Sequence, residues 1–211
     1  MMDANALLLR ERLDQCPLVA IIRGVTSDEA EAVGEAIFAA GIRIIEVPLN
    51  SPDPFASIRL LVARLGDRAL IGAGTVLDAL DVARVADAGG RLIVSPNTNA
   101  DVIAASVAAG LVSAPGYFTP SEAFAALRAG AHALKLFPAE AVSPQVVKAQ
   151  RAVLPKKVPL IVVGGIAPDN MQPWLAAGAT GFGLGSGLYK PGQSADEVER
   201  QARAYVAGLS R

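Results

Sequence analysis

LVAIIRGVTSDEAEAVGEAIFAAGIRIIEVP, residues 18–48, decides the fold. The stretch opens on the apolar run LVAII (18–22) and closes on IRIIEV (42–47). Between them, SDEAEAVGEAIFAAG repeats its apolar residues at helical spacing. Ser27 and Asp28 stand at its start, Glu29 follows, and Gly41 stands at its end. Small polar side chains accept hydrogen bonds from the free N–H groups of a first helical turn, and glycine takes the left-handed turn that ends a helix. The segment therefore reads as strand, capped helix, strand. Both strands are near-continuous apolar runs, as expected of a parallel sheet covered by helices.

The unit recurs along the chain. Apolar runs follow at 69–74 (ALIGAG), 91–95 (RLIVS), 111–115 (LVSAP), 132–137 (HALKLF), 159–164 (PLIVVG) and 180–185 (TGFGLG), starting about 20 to 27 residues apart. Helix-period segments such as DALDVARVADAGG and TPSEAFAALRAG lie between them. Eight such strands predict an α/β fold, a single (β/α)8 TIM barrel. A short helix over MMDANALLLRERLDQC is expected to precede it. The alternative is a doubly wound sheet, but the first strand-to-helix turn, IIRGVTSDEA, lacks the G-x-G-x-x-G fingerprint. The units share a period but little detailed sequence, which argues for one barrel and against a solenoid. No linker is long enough to divide the chain, so one domain is expected over residues 1–211.

Composition narrows the function classes. Apolar residues make up 52% and charged residues 18%, enough for a compact core and too apolar for a disordered chain. A net charge of -1 leaves no basic field for nucleic acid. The single cysteine, Cys16, excludes an intramolecular disulfide framework, fits a reducing compartment and is expected to pack before the first strand. No stretch approaches the roughly 20 apolar residues that span a bilayer. The early Asp3 and the charged second half of the first 16 residues read as a helix and not as a signal peptide. A soluble, cytoplasmic protein is expected.

Lys135 is the most telling residue for chemistry. It sits in HALKLFPAE, inside the sixth strand, whereas Lys148, Lys156, Lys157 and Lys190 fall in helix or loop patterns. An ammonium in a barrel wall is costly unless it has a partner or a task. Desolvation removes its proton and lets the amine attack a carbonyl to form a Schiff base. The alternatives are a snorkelling lysine and a salt-bridged structural one. Barrels of this kind carry their active sites at the carboxyl ends of the strands, and Lys135 is near one. Glu46 stands near the end of the second strand. Alternation puts Ala133, Lys135 and Phe137 on one face of their strand, and Ile44, Glu46 and Pro48 on one face of theirs. If both faces point inward, a buried Glu46 with its pKa raised toward neutrality can shuttle protons between carbinolamine, imine and enamine. A structural ion pair of Glu46 with Lys135 or Arg23 is the other reading. Arg23, after the first strand, offers a forked contact to an anionic substrate. Thr75, with the backbone N–H groups of GAGT, is placed either to hold a substrate carboxylate or to cap the following helix.

A second cluster is rich in glycine. Gly164 and Gly165 precede IAPDN, where Pro168 is placed to occupy a first helical turn, and Gly183, Gly185 and Gly187 surround Ser186. Glycines let backbone N–H groups approach an anion, and the loops after the seventh and eighth strands are the usual phosphate site of such barrels. No H-x-H, H-E-x-x-H or cysteine cluster is present, and His132 lies at the start of the sixth strand, away from the expected site. A carboxylate-only magnesium site stays open but shows no motif. Gly185-Ser186-Gly187 is not a nucleophile elbow.

Taken in order from Pro17 to Tyr205, the blocks IIRG, IEVPLNSP, IGAGTV, SPN, PG..TPSEA, LKLFPAE, VGGI and GLGSGLY resemble the KDPG/KHG aldolase family of class I, pyruvate-dependent aldolases. The resemblance implies that Lys135 is the Schiff-base lysine, Glu46 the general acid/base and Arg23 a substrate-binding residue. It also implies that Thr75 and Gly74 receive the pyruvate carboxylate and that Pro96 and Phe137 wall the pyruvate pocket. Gly164, Gly165, Gly185 and Ser186 are then the phosphate cradle. After the glutamate, members that cleave the gluconate-derived 6-phosphate read E-V-T-L-R. EVPLN here resembles the galactonate-type members, with Pro48 removing a hydroxyl and a backbone donor and Asn50 supplying a short amide suited to reading the C4 hydroxyl. KLFPAE, with Ala139 and Glu140, keeps the gluconate-type form. The implied activity is reversible cleavage of a phosphorylated 2-keto-3-deoxy sugar acid to pyruvate and glyceraldehyde 3-phosphate. The resemblance further implies a homotrimer, and no cofactor, metal, nucleic-acid or membrane partner is expected. The same cleavage of the gluconate epimer, or of both epimers, is the nearest alternative, and a phosphosugar isomerase using Glu46 without an imine and a non-catalytic phosphate-binding barrel are the other classes the residues allow.

Overall fold

The computed structural model describes residues 3–210; Met1, Met2 and Arg211 of the expected domain lie outside the described residues. Its strands are β1 (Leu18–Ile21), β2 (Ile44–Pro48), β3 (Leu70–Gly74), β4 (Leu92–Val94), β5 (Val112–Ala114), β6 (Gly116–Tyr117), β7 (Leu134–Leu136), β8 (Leu160–Val163) and β9 (Gly181–Leu184). They pair in the order β5-β4-β3-β2-β1-β9-β8-β7-β6, every pair parallel. Each of the eight expected strands is present. The fifth is divided at Pro115 into β5, which bonds β4, and β6, which bonds β7. Proline has no N–H to give a ladder, so the stave changes partner there. Main-chain bonds from Ala133 to Ser113 O (3.3 Å) and from Lys135 to Pro115 O (2.9 Å) carry the pairing across the break and complete the ring. The fold is the expected α/β barrel of the TIM type.

The helices are α1 (Ala4–Gln15), α2 (Ser27–Ala39), α3 (Pro54–Leu65), α4 (Ala79–Asp87), α5 (Ala100–Ala108), α6 (Pro120–Arg128), α7 (Pro144–Arg151), α8 (Met171–Ala177) and α9 (Ala195–Gly208). Capping boxes close α2, α6 and α9, although the α2 cap is Thr26, one residue before the expected Ser27. There Thr26, Thr119 and Ser194 exchange bonds with Glu29, Glu122 and Glu197 in reciprocal capping boxes. Among the described residues, no helix is long and apolar enough to cross a membrane.

Two apolar layers position the site. The outer one lies between strands and helices and includes Ile45, Val47, Ile71 and Leu134 packed with Val33, Ile37 and Leu61. The inner one fills the barrel with Val19, Ile44, Leu70, Leu92, Val112, Ala133 and Ile161, and it also takes in Leu9 and Leu13 of α1. The amino-terminal helix therefore stoppers the amino end of the barrel. His132 joins that closure, its Nε2 lying 2.7 Å from Asp3 Oδ2 and its Nδ1 accepting the Ser113 N–H at 3.0 Å. Cys16 is buried beside the first strand, as expected. Ile44 and Ala133 belong to the inner layer, so Glu46 and Lys135, two residues further along, also face inward.

Candidate active site

Lys135 and Glu46 are the charged residues of the barrel interior, and both are buried. They line one small apolar chamber with Leu9, Val19, Ile21 and Ile44. Burial lifts the Glu46 carboxyl to about 7, although the positive charges of Lys135 and then Arg23 pull it down. Burial likewise lowers the Lys135 ammonium; the Glu46 charge opposes that shift, and Arg23 adds to it. Each group is thus moved toward the protonation state that imine chemistry needs, an amine that can be neutral and a carboxyl that can carry a proton. Among the described residues Glu46 makes no salt bridge to Lys135 or Arg23, and its Oε2 is buried without a hydrogen-bond partner. The structural ion pair considered from sequence is therefore absent. An orphaned buried carboxylate oxygen is costly in a resting fold and useful at a site that receives a polar ligand.

Gly74 explains how the carboxyl fits. A Cβ built there would collide with Glu46 Oε2, so this glycine gives the carboxyl its room. Thr75 follows with φ 56°, a left-handed conformation that a β-branched residue resists. It does not cap α4: that place is taken by Asp78, which accepts the Leu80 N–H at 2.9 Å. Instead, Thr75 Oγ1 accepts from Arg23 Nη2 at 3.3 Å, and Asn50 Oδ1 accepts from Arg23 Nη1. Arg23, Asn50 and Thr75 thus form one constellation across the ends of β1, β2 and β3. Asn50 reaches the site through the guanidinium it holds.

Above this chamber a cavity of about 630 Å³ opens at the carboxyl ends of the strands. Arg23, Thr75, Pro96, Lys135 and Phe137 line one side, and Gly164, Gly165, Gly185 and Ser186 line the other. The Lys135 Nζ stands 5.1 Å from the centre of the Phe137 ring. Gly116 lets the Pro96 loop close in, because a Cβ there would strike the Pro96 carbonyl. The backbone N–H groups of Gly165, Ser186 and Gly187 make no main-chain hydrogen bond among the described residues. Gly187 is small because the Tyr205 hydroxyl packs against it, but a Cβ at Gly185 would meet nothing within 4 Å. The protein itself does not require glycine at 185, whereas a ligand approaching the backbone would.

The loop after β8 departs from the sequence expectation in one respect. Pro168 lies in a turn, and α8 begins only at Met171. Asn170 ends that turn by accepting the Ala167 N–H at 2.9 Å and donating to Gly165 O at 2.8 Å, which shapes the glycine pair. Two charged lining residues were not foreseen as site residues, Glu140 and Lys190. Glu140 stands five positions after Lys135 at the same strand end, which was the available signal. Nothing local in the sequence marked Lys190. Among the described residues, no cluster of three or more histidine, cysteine, aspartate or glutamate side chains is arranged to hold a metal ion.

This arrangement agrees with what known proteins resemble. The family model described as KDPG and KHG aldolase matches residues 9–202. The chain belongs to the KDPG and KHG aldolase family. The 2-dehydro-3-deoxy-6-phosphogalactonate aldolase of Escherichia coli (strain K12) is 49% identical over 190 residues, covering 90% of this chain and 93% of that protein. A solved structure described as native KDPGal superposes with a TM-score of 0.91 at 47% identity, over 93% of this chain and 95% of that one. A KDPG aldolase from Legionella pneumophila, with pyruvate captured at low pH as a covalent carbinolamine intermediate, superposes with a TM-score of 0.81 at 28% identity, over 92% and 96% of the two chains. The family member described here is a class I, Schiff-base aldolase and a carbon–carbon lyase.

Proposed function

We propose that the chain cleaves 2-dehydro-3-deoxy-6-phosphogalactonate reversibly to pyruvate and D-glyceraldehyde 3-phosphate. The observation that carries this is the inward-facing pair of Lys135 and Glu46 in one chamber, with Lys135 also facing the upper cavity whose glycine-rich wall has free N–H groups. In this reading the neutral Lys135 amine adds to the C2 ketone. Glu46 carries protons through carbinolamine, imine and enamine, and the C3–C4 bond breaks toward the protonated imine. Thr75 and the neighbouring backbone hold the pyruvate carboxylate beside Arg23. Pro96 and Phe137 wall the pyruvate methyl group, and the cradle of Gly164, Gly165, Gly185 and Ser186 takes the phosphate. The galactonate-type substrate is favoured by EVPLN and by the 49% identity to the E. coli enzyme of that name. Asn50 acts here by fixing Arg23, whose guanidinium lines the cavity where the C4 hydroxyl would pass.

The deciding experiment is kcat/KM on the two C4 epimers, the galactonate-derived and gluconate-derived 6-phosphates, under identical conditions. A mismatched hydroxyl that leaves a polar group unpaired once the substrate covers it costs about 1–3 kcal/mol, so the galactonate epimer should be preferred by roughly ten- to a hundredfold. Equal rates or a gluconate preference would overturn the substrate and leave the imine chemistry standing.

The proposal includes one barrel domain, a cytoplasmic location in keeping with the single unpaired Cys16, and a homotrimer. Self-association is supported by three exposed apolar side chains near the carboxyl ends of β3 to β6: Leu77, Leu80 and Phe118. Their loops adjoin, since Asn99 donates to Leu77 O at 3.5 Å and Thr98 donates to Gly116 O at 2.7 Å. Light scattering should give about three times the 21.7 kDa chain mass. A monomer mass would refute the trimer.

A further inference from the structure

Glu140 occupies a position that the imine chemistry does not use. It lies in the 3-10 turn Ala139–Ala141, just beyond the strand that carries Lys135. Ala139 is buried and anchors the turn, while the Glu140 side chain stays exposed along the cavity wall. That side chain lies against the glycine pair after β8. A Cβ at Gly164 would collide with Glu140 Oε2, and one at Gly165 would come within 2.7 Å of Glu140 Cγ. The carboxylate makes no hydrogen bond or salt bridge among the described residues, so its acceptor capacity is unspent.

The surroundings of this carboxylate offer donors. The Gly165, Ser186 and Gly187 N–H groups are free of main-chain partners, and Lys190 lines the same cavity. Donors suit a phosphate. They do not satisfy the proton of a hydroxyl, which needs an acceptor. If the substrate runs from Lys135 to the glycine cradle, the carbon next to the phosphate-bearing one carries a hydroxyl and passes beside Glu140. We infer that Glu140 accepts the hydrogen bond of the substrate's C5 hydroxyl and so selects for a hydroxylated aldehyde fragment. A bond to a charged acceptor is among the stronger hydrogen bonds, and a cation, Lys190, lines the same cavity. The assignment rests on the aldolase reading above and adds to it a specificity-determining residue on the aldehyde side.

The test compares cleavage of the 6-phosphate substrate with cleavage of its 5-deoxy analogue, using wild type, Glu140→Gln and Glu140→Ala. Wild type should lose about ten- to a hundredfold in kcat/KM on the analogue. Glu140→Ala should lose a similar factor on the full substrate and little more on the analogue, so its ratio falls toward one. Glu140→Gln keeps an acceptor oxygen without the charge and should fall between. Borohydride trapping of pyruvate should be equal in all three proteins. A wild-type ratio that survives in Glu140→Ala would overturn the assignment. So would a rise in kcat/KM for both substrates, which would make Glu140 an electrostatic barrier. Failure of the aldolase reading itself shows separately, as a wild type that traps no pyruvate, and it would remove this assignment as well.

Discussion

Around Lys135 the barrel mouth is built from side chains, and after β8 and β9 it is built from backbone. The first region buries an amine and a carboxyl among apolar neighbours, and dryness is what moves both pKa values. The second offers glycine positions and unengaged N–H groups. Covalent chemistry needs the first kind of environment, because a solvated lysine stays protonated. Anion binding needs the second, because side chains would hold a phosphate away from the main-chain donors. The difference teaches that one cavity divides its work between reacting and holding, and substitutions should separate the two.

The largest effect should come from Lys135→Ala. Loss of the nucleophile should reduce cleavage by at least about a thousandfold, measured as pyruvate release. Lys135→Arg should be no better, since guanidinium does not supply a neutral amine. Glu46→Gln comes next, with cleavage and exchange of pyruvate methyl protons slowed by about 10²–10⁴-fold while pyruvate still binds. The same variant has a stability signature. Glu46 is raised from 4.5 to about 7 in the folded protein. A carboxyl that holds its proton more tightly when folded contributes stability fully present below its unfolded value and lost as pH rises through the folded one. Glutamine does not titrate. The thermal midpoint of Glu46→Gln relative to wild type should therefore rise between pH 5 and pH 8, and a flat difference would mean that Glu46 is not shifted.

On the backbone side, Gly185→Leu fills the cavity without striking the protein's own atoms. It should raise KM for the phosphorylated substrate by roughly ten- to a hundredfold and leave pyruvate trapping unchanged. Equal damage to both would break the division between the halves. Gly164 and Gly165 are poorer probes, because a side chain at either meets Glu140. The smallest effect is expected at Asn50, which touches the site through Arg23. Asn50→Arg should shift the epimer ratio toward the gluconate-type substrate by about tenfold or less, and an unchanged ratio would show that this position does not read C4.

The contrast between the halves also marks what could be read from the chain. All eight staves were legible, because a strand covered on both faces must be an apolar run and each run ends on a turn signal. Lys135 and Glu46 were legible for the same reason, as charges inside such runs on faces set by alternation. Contacts between distant segments were not. The break at Pro115 changes which neighbour a strand bonds, and periodicity carries no information on that. Leu9 stoppers the barrel from a helix with little amphipathic signal. Gly74 seemed to belong to a carboxylate-binding turn, and it is also the space in which Glu46 sits. Asn50 seemed a free amide, and its oxygen is engaged by Arg23. Glu140 lies in a block quoted for its lysine, yet its side chain crosses to a different strand end.

Everything assigned to the side-chain half depends on a covalent bond to one amine. Incubation with pyruvate and borohydride, followed by mass analysis of peptides, tests that bond directly because reduction makes the imine permanent. The expected result is one adduct per chain, carried by Lys135 and absent from Lys135→Ala. An active wild type with no adduct, or an adduct on another lysine, would contradict the assignment of Lys135 as the Schiff-base residue.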